Sequence, residues 1–178
     1  FMETYNPSFI CNHSDHQGRY SFERQPSVAL WNLDRLANAI RSLIDETHLK
    51  DALAEYEGFL VKEYSTLMRQ KFGLVEVNED DSKLVNDYLQ LLYEHKKDYP
   101  ISMRLLSKDS NNMGSDFDSW FERYHQRLDQ EKIKPNQRKQ SMDSVNPKYV
   151  LRNYLAEVAI RKAEDQHQYN EIETLFNL

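Results

Sequence analysis

The sequence predicts an all-α protein of several helices with an extended N-terminal segment, and three observations predict it. Gly and Pro number only four and five among 178 residues, so helix breakers are scarce while Leu, Glu, Lys, Arg and Gln are plentiful. Apolar residues recur at i, i+3, i+4 and i+7 from Val28 onward, the rhythm of amphipathic helices. Start and stop signals such as Gly73, Pro100 and Asn146-Pro147 fall between those periodic stretches. No internal repeat or low-complexity tract interrupts the pattern.

Residues 1–26 carry neither a helical nor an alternating period. Pro7, Gly18 and Pro26 punctuate them, which predicts an extended region over the helices, with Arg19 to Phe22 as a short strand. Residues 27–178 read as the helical domain. Pro26 and Ser27 open a first helix through Ile44. Its apolar positions Val28, Trp31, Leu33, Leu36, Ala37, Ile40, Leu43 and Ile44 are numerous enough to predict burial on most sides. A second helix runs from Thr47, read as its cap, to Phe72. Leu49, Leu53, Tyr56, Leu60, Tyr64 and Leu67 form its stripe, Gly58 allows a close helix approach, and Gly73 closes it in the left-handed conformation.

The acidic run Asn78 to Asp81 opens a third helix, from Glu79 to Lys96, with Leu84, Val85, Tyr88, Leu91 and Leu92 inward. The run lacks the spacing of a calcium loop and reads as capping. A short helix follows from Pro100 to Ser107, then a polar loop from Asp109 to Ser115. The fifth helix, Asp116 to Lys132, turns Phe117, Phe121, Tyr124 and Leu128 to one side. After a basic connector comes a short helix from Arg138 to Val145. Asn146, with Pro147 after it, reads as the N-cap of a helix carrying Val150, Leu151, Tyr154, Leu155, Val158 and Ala159. Tyr169 to Leu178 is the last helix.

The composition narrows the functional classes. A net charge of −6 and a single basic run, Lys132 to Lys139, argue against nucleic acid as a partner. No apolar run approaches the roughly 20 residues that cross a bilayer, and no signal-peptide pattern is present, so no membrane partner is expected. The one cysteine cannot form a disulfide within the chain and fits a reducing compartment or a partner cysteine elsewhere.

The chemistry-bearing residues concentrate in Phe9 to Pro26. Cys11, His13 and His16 could supply soft and imidazole donors, yet a structural zinc site usually needs four ligands, so no metal is expected. Cys11 with a histidine base would need side chains that converge, whereas neighbours on an extended segment point apart. A redox-responsive thiol needs less machinery. There is no Gly-x-Ser-x-Gly and no glycine-rich phosphate loop. His48, His95, His125 and His167 read as solvated surface residues.

Residues Asn6 to Phe22 (Asn-Pro-Ser-Phe-Ile-Cys-Asn-His-Ser-Asp-His-Gln-Gly-Arg-Tyr-Ser-Phe) resemble the SelO (YdiU) family. So do Gln25-Pro26, Trp31-Asn32-Leu33, Arg35-Leu36-Ala37 and the string Asn146 to Ala156 (Asn-Pro-Lys-Tyr-Val-Leu-Arg-Asn-Tyr-Leu-Ala). That family comprises kinase-fold pseudokinases that transfer AMP from ATP to Ser, Thr or Tyr of proteins. The resemblance implies a kinase C-lobe-like architecture, with the helix from Ser27 as its central helix and residues 1–26 as an activation-segment-like region. It implies ATP and magnesium as cofactors of the intact enzyme, and protein substrates as its partners. The family's catalytic Asp and Asn motifs would lie ahead of Phe1, so no catalytic residue and no cofactor are expected in this chain, which alone would be inactive. Cys11 becomes the candidate for thiol-linked control, and His13, Asp15 and Arg19 the candidates for a substrate-facing loop. The location would be cytoplasmic in a bacterium and mitochondrial in a eukaryote. A non-catalytic helical interaction module is the alternative, and apolar surface left uncovered would drive self-association.

Overall fold

A computed structural model describes residues 2–108 and 112–178. Among them the chain forms eight α-helices: α1 (Gln25–Ile40), α2 (Glu46–Phe72), α3 (Asp81–Glu94), α4 (Tyr99–Leu106), α5 (Asp118–Leu128), α6 (Pro135–Val145), α7 (Asn153–Gln166) and α8 (Asn170–Phe176). Single 3₁₀ turns precede α1 and α5, at Phe22–Arg24 and Ser115–Phe117. The all-α expectation holds.

The helices that cohere are those whose apolar faces meet. The last turn of α2 and helices α3 to α6 enclose one core, in which Phe72, Leu92, Met103, Phe117, Trp120, Tyr124 and Met142 are each no more than 1% exposed. Trp120 lies at its centre, stacked on Tyr124 at 4.9 Å and against Tyr88 at 4.4 Å. Such ring pairs contribute about 0.5–1.5 kcal/mol beyond the area they bury. Each polar tip finds a backbone carbonyl. Trp120 Nε1 donates to Leu84 O at 2.8 Å, Tyr124 Oη to Phe72 O at 2.7 Å, and Tyr88 Oη to Ser102 O at 3.2 Å. Burial pushes the Tyr88 and Tyr99 hydroxyls well above the ordinary tyrosine range.

A buried ion network fixes α5 against the start of α3. Arg127 Nε donates to Asp81 Oδ1 at 2.7 Å, its NH1 lies 2.8 Å from Glu131 Oε1, and its NH2 donates to Glu76 O at 2.6 Å. Asp81 Oδ2 in turn accepts the Asn78 N–H at 3.0 Å. Removing one partner would strand a buried charge, at a cost of about 3–5 kcal/mol. The acidic run does not cap α3 as read, since the Asp80 side chain makes no cap bond; Asp81 instead accepts the Asn78 N–H and holds Arg127.

The outer parts differ from the sequence reading. Helix α1 contains no buried residue, and Trp31, Leu33 and Leu36 are 48%, 39% and 56% exposed. The predicted burial on most sides does not occur: Val28, Ala37 and Ile40 are half-buried, and the main packing on α1 comes from α2 and the 3₁₀ turn at Phe22–Arg24. It begins at Gln25 and ends at Ile40, short of Ile44. On α2 the stripe from Leu49 to Leu60 is half-buried, Tyr64 and Leu67 are exposed, and Met68 and Phe72 enter the core instead. Asp45, not Thr47, caps α2, its carboxylate accepting the Thr47 N–H at 2.9 Å. No atom lies within 4 Å of a Cβ built at Gly58, so no helix approaches there.

Gly73 does adopt the left-handed conformation, with φ +69°. Helix α4 starts at Tyr99 with Asp98 as its cap, the carboxylate accepting the Ile101 N–H at 2.9 Å. Helix α5 is shorter than Asp116 to Lys132, because its first turn is a 3₁₀ turn and it ends at Leu128. In the polar loop from Asp109 to Ser115, residues 109–111 lie outside the described residues.

Asn146 is the clearest correction. It does not start a helix. It ends α6, is 0% exposed, and its side chain is consumed by the end of α2; the next helix starts only at Asn153. Arg104 NH1 donates to the carbonyls of Asp143 and Asn146 at 3.0 and 2.8 Å and so closes α6 from outside. Of the α7 face, only Ala159 is buried, while Tyr154 and Val158 remain 62% and 46% exposed. The expected Glu157–Arg161 pair does form, at 2.8 Å.

Candidate functional site

The loop ahead of α1 is held by its own polar groups. Asn12 Oδ1 accepts the N–H groups of Ser14 and Asp15 at 2.9 and 2.8 Å. The Asp15 carboxylate accepts the N–H groups of Arg19 and Tyr20 at 2.9 and 2.7 Å. These bonds, the Tyr20 one foremost, lower the Asp15 pKa below the ordinary carboxylate value. Gly18 takes φ +67° between them, where a side chain would be strained. Phe22 N donates to Phe9 O at 2.9 Å and Glu23 N to Pro7 O at 3.0 Å, which ties the two ends of the loop together. The short strand expected over Arg19 to Phe22 is therefore a set of turns leading into a 3₁₀ turn.

This bracing presents side chains outward. Cys11 is an exposed free thiol, and His13 and His16 are exposed. Among the described residues no three His, Cys, Asp or Glu side chains come together as a metal-binding group. Arg19 leans over α1, with its guanidinium carbon 4.6 Å from the centre of the Trp31 ring and 5.6 Å from that of Tyr20. Arg35 approaches Trp31 at 5.4 Å while donating from Nε to Asp34 Oδ2 at 3.0 Å. Of the four candidates, Asp15 holds the loop in shape, Arg19 is placed on an aromatic bed, and Cys11 and His13 face solvent. His48, His95, His125 and His167 are all exposed, as expected.

Sequence reasoning missed a second concavity. Residues 3–5 run antiparallel to residues 97–99, with Tyr5 N donating to Lys97 O at 2.9 Å and Tyr99 N to Glu3 O at 2.7 Å. Beside this pairing lies a cavity of about 910 Å³, bordered by Tyr5, Phe9, Tyr93 and Tyr154. Asp98, opposite Thr4 in this pairing, caps α4, and its carboxylate accepts from both terminal guanidinium nitrogens of Arg152, ahead of α7. That bond is the main cause of a raised Arg152 pKa. No short motif could reveal the cavity, because its four rings come from three distant stretches of chain.

The geometry of the loop can be set beside known proteins. The family model described as "Protein adenylyltransferase SelO" matches residues 1–178, the whole chain. The chain belongs to the SelO family. Family relatives named "Protein nucleotidyltransferase YdiU" are similar to it throughout. The one from Pectobacterium carotovorum is 45% identical over 177 residues, covering 93% of this chain and 36% of the relative. Those from Pectobacterium atrosepticum and Pseudoalteromonas atlantica are 46% and 43% identical, with 36% and 37% of the relative covered. The chain thus spans little more than a third of the length of the SelO-family relatives it matches. The resemblance carried by Asn6 to Phe22 and Asn146 to Ala156 is confirmed at the level of family.

Proposed function

We propose that this chain is the helical, non-catalytic part of a protein adenylyltransferase, an enzyme that moves AMP from ATP to Ser, Thr or Tyr of other proteins. The observation that carries the reading is the family match over residues 1–178, in a chain that spans about 36% of relatives named as protein nucleotidyltransferases. In this reading the helices form a kinase C-lobe-like body, residues 1–26 act as its activation-segment-like region, and the protein works in the bacterial cytoplasm. Cys11 serves as a redox-responsive thiol, and the braced loop carrying His13, Asp15 and Arg19 faces the protein substrate.

ATP and magnesium belong to the proposed activity, and the donors in this chain do not fit them. No cluster of three carboxylate, imidazole or thiol groups forms among the described residues, whereas a nucleotide-bound magnesium relies on carboxylates beside the phosphates. What this chain supplies is scaffold: Asn12 and Asp15 set the loop, and α1 receives it.

The test is AMP transfer to a protein acceptor, with ATP and magnesium, by this chain and by a protein that carries it within the full family length. The long form should label the acceptor and the 178-residue chain should not. Labelling by the short chain alone would overturn the division of labour, and a silent long form would overturn the activity.

A second reading, a helical module that binds another protein or a copy of itself, is favoured by the uncovered leucines of α1 and by Tyr154, Val158 and Ile160 on α7. Light scattering over a concentration series checks it: mass should rise with concentration, and a constant monomer mass would count against it.

A further inference from the structure

We propose that Arg19, laid on Trp31, anchors a docking surface for an acidic polypeptide segment. A guanidinium that stacks on an aromatic ring uses its flat face and leaves the N–H edge free in its plane. That edge is the part that grips a carboxylate with two parallel hydrogen bonds. The Arg19 guanidinium lies over two such rings. Its guanidinium carbon stands 4.6 Å from the Trp31 ring centre and 5.6 Å from that of Tyr20, both rings about half exposed. Among the described residues it makes no ion pair and no side-chain hydrogen bond.

The acids nearest to it and to Trp31 in sequence each accept hydrogen bonds from other groups. Asp15 gives its two carboxylate oxygens to the N–H groups of Arg19 and Tyr20. Asp34 accepts from Arg35 and from the Asn38 side chain. Glu23 accepts from Ser8 Oγ at 3.4 Å. A second cation lies close: Arg24 reaches the Gly18 carbonyl at 3.5 Å, and with Arg19 it draws down the Asp15 pKa. The surface is preformed, because Asn12, Asp15 and Gly18 fix the backbone that carries Arg19, so little ordering opposes binding. The occupant that fits is an extended segment rich in Glu or Asp, one carboxylate meeting the Arg19 edge and neighbouring carbon chains lying on Trp31 and Tyr20.

This concerns binding, so it stands or falls independently of AMP transfer. The chain supplies its own reporter. It has two tryptophans, and Trp120 is 0% exposed while Trp31 is 48% exposed, so a bound peptide alters the emission of Trp31 alone. The 178-residue chain is titrated with a short Glu-Gly repeat peptide, a Lys-Gly repeat peptide and inorganic phosphate, at low salt. The Glu-Gly peptide should give a saturable change, and the other two should not. Arg19→Gln and Arg19→Lys should each weaken it about tenfold or more, the loss of a charge-assisted bidentate bond, with thermal midpoints unchanged. Trp31→Leu, followed by calorimetry, should weaken it as well. Absence of saturation, equal affinity of Arg19→Gln, or an equal response to phosphate or to the Lys-Gly peptide would overturn the proposal.

Discussion

Asn146 and Lys71 hold each other from both ends. The Asn146 Nδ2 group donates to the Lys71 carbonyl at 2.8 Å, and the Lys71 ammonium donates back to Asn146 Oδ1 at 3.2 Å and to Val145 O at 3.1 Å. The end of α2 and the end of α6 are thereby joined through one amide. Burial pulls the Lys71 pKa below its usual value. Asn146→Ala leaves the part-buried Lys71 carbonyl without this donor and takes one of two acceptors from the half-buried ammonium. Urea unfolding should show a loss of about 1–3 kcal/mol, and Asn146→Asp, which keeps the shape, should not restore the bond to the Lys71 carbonyl.

Gly73, two residues further along, stands under α6. A Cβ there would lie 2.7 Å from Met142 Sδ and 2.7 Å from Arg138 Cγ, at a φ of +69°. Gly73→Ala therefore meets both a backbone and a steric penalty, together about 1–3 kcal/mol. Adding Met142→Ala should relieve only the clash with its side chain, leaving the one with Arg138 Cγ and the backbone part. Denaturant midpoints of the single and double variants measure the split.

Asp143 links acid sensitivity to the same corner. Burial opposes its charge, but hydrogen bonds from Lys139 and from Ser107 Oγ, the latter at 2.6 Å, together with Arg104, bring its pKa below the ordinary 3.8. A carboxylate with a lowered folded pKa binds fewer protons folded than unfolded. Its contribution is complete above the unfolded value near 3.8 and is lost as pH falls through the folded one. Thermal melts of Asp143→Asn should show lower stability at neutral pH and a shallower decline below about pH 4 than the unaltered chain.

Leu36 on α1 is 56% exposed. Leu36→Gln should change the stability of this chain by no more than about 0.5 kcal/mol, as surface substitutions do. If uncovered leucines drive association, the same change should lower the average mass in light scattering at high concentration.

The helices of the core were readable because each has its packing partner within the chain. The spacing turns Leu84, Val85, Tyr88, Leu91 and Leu92 of α3 inward, with Phe117 just ahead of α5 and Phe121, Tyr124 and Leu128 on it; all are buried except Leu91 and Leu128, which are half-buried. A single stripe omits Trp120, because α5 turns a wider arc to the core. Periodicity misled at α1 and α7 because it reports which side of a helix is apolar, not whether anything lies there. Asn146-Pro147 misled because the same pair serves equally in a turn, and only the distant Lys71 decides between the two. In the loop, the residue types were visible in sequence. The pairing of Arg19 with Trp31 was not, since it depends on the turn that Asp15 and Gly18 impose.

The burial is uneven along the chain, and that gives the molecule an order of coming apart. Among the described residues, buried apolar side chains run from Met68 to Met142, with Ala159 the one beyond them. Amide protons of α3 and α5 should exchange with solvent only through global unfolding, whereas those of α1, α7 and α8 should exchange through local fraying at far lower free energy. A protease at low dose should trim the two ends and leave the middle of the chain as a resistant remnant. Of the two family strings, Asn146 to Ala156 begins at the buried Asn146 on the edge of that remnant, and Asn6 to Phe22 lies well ahead of it.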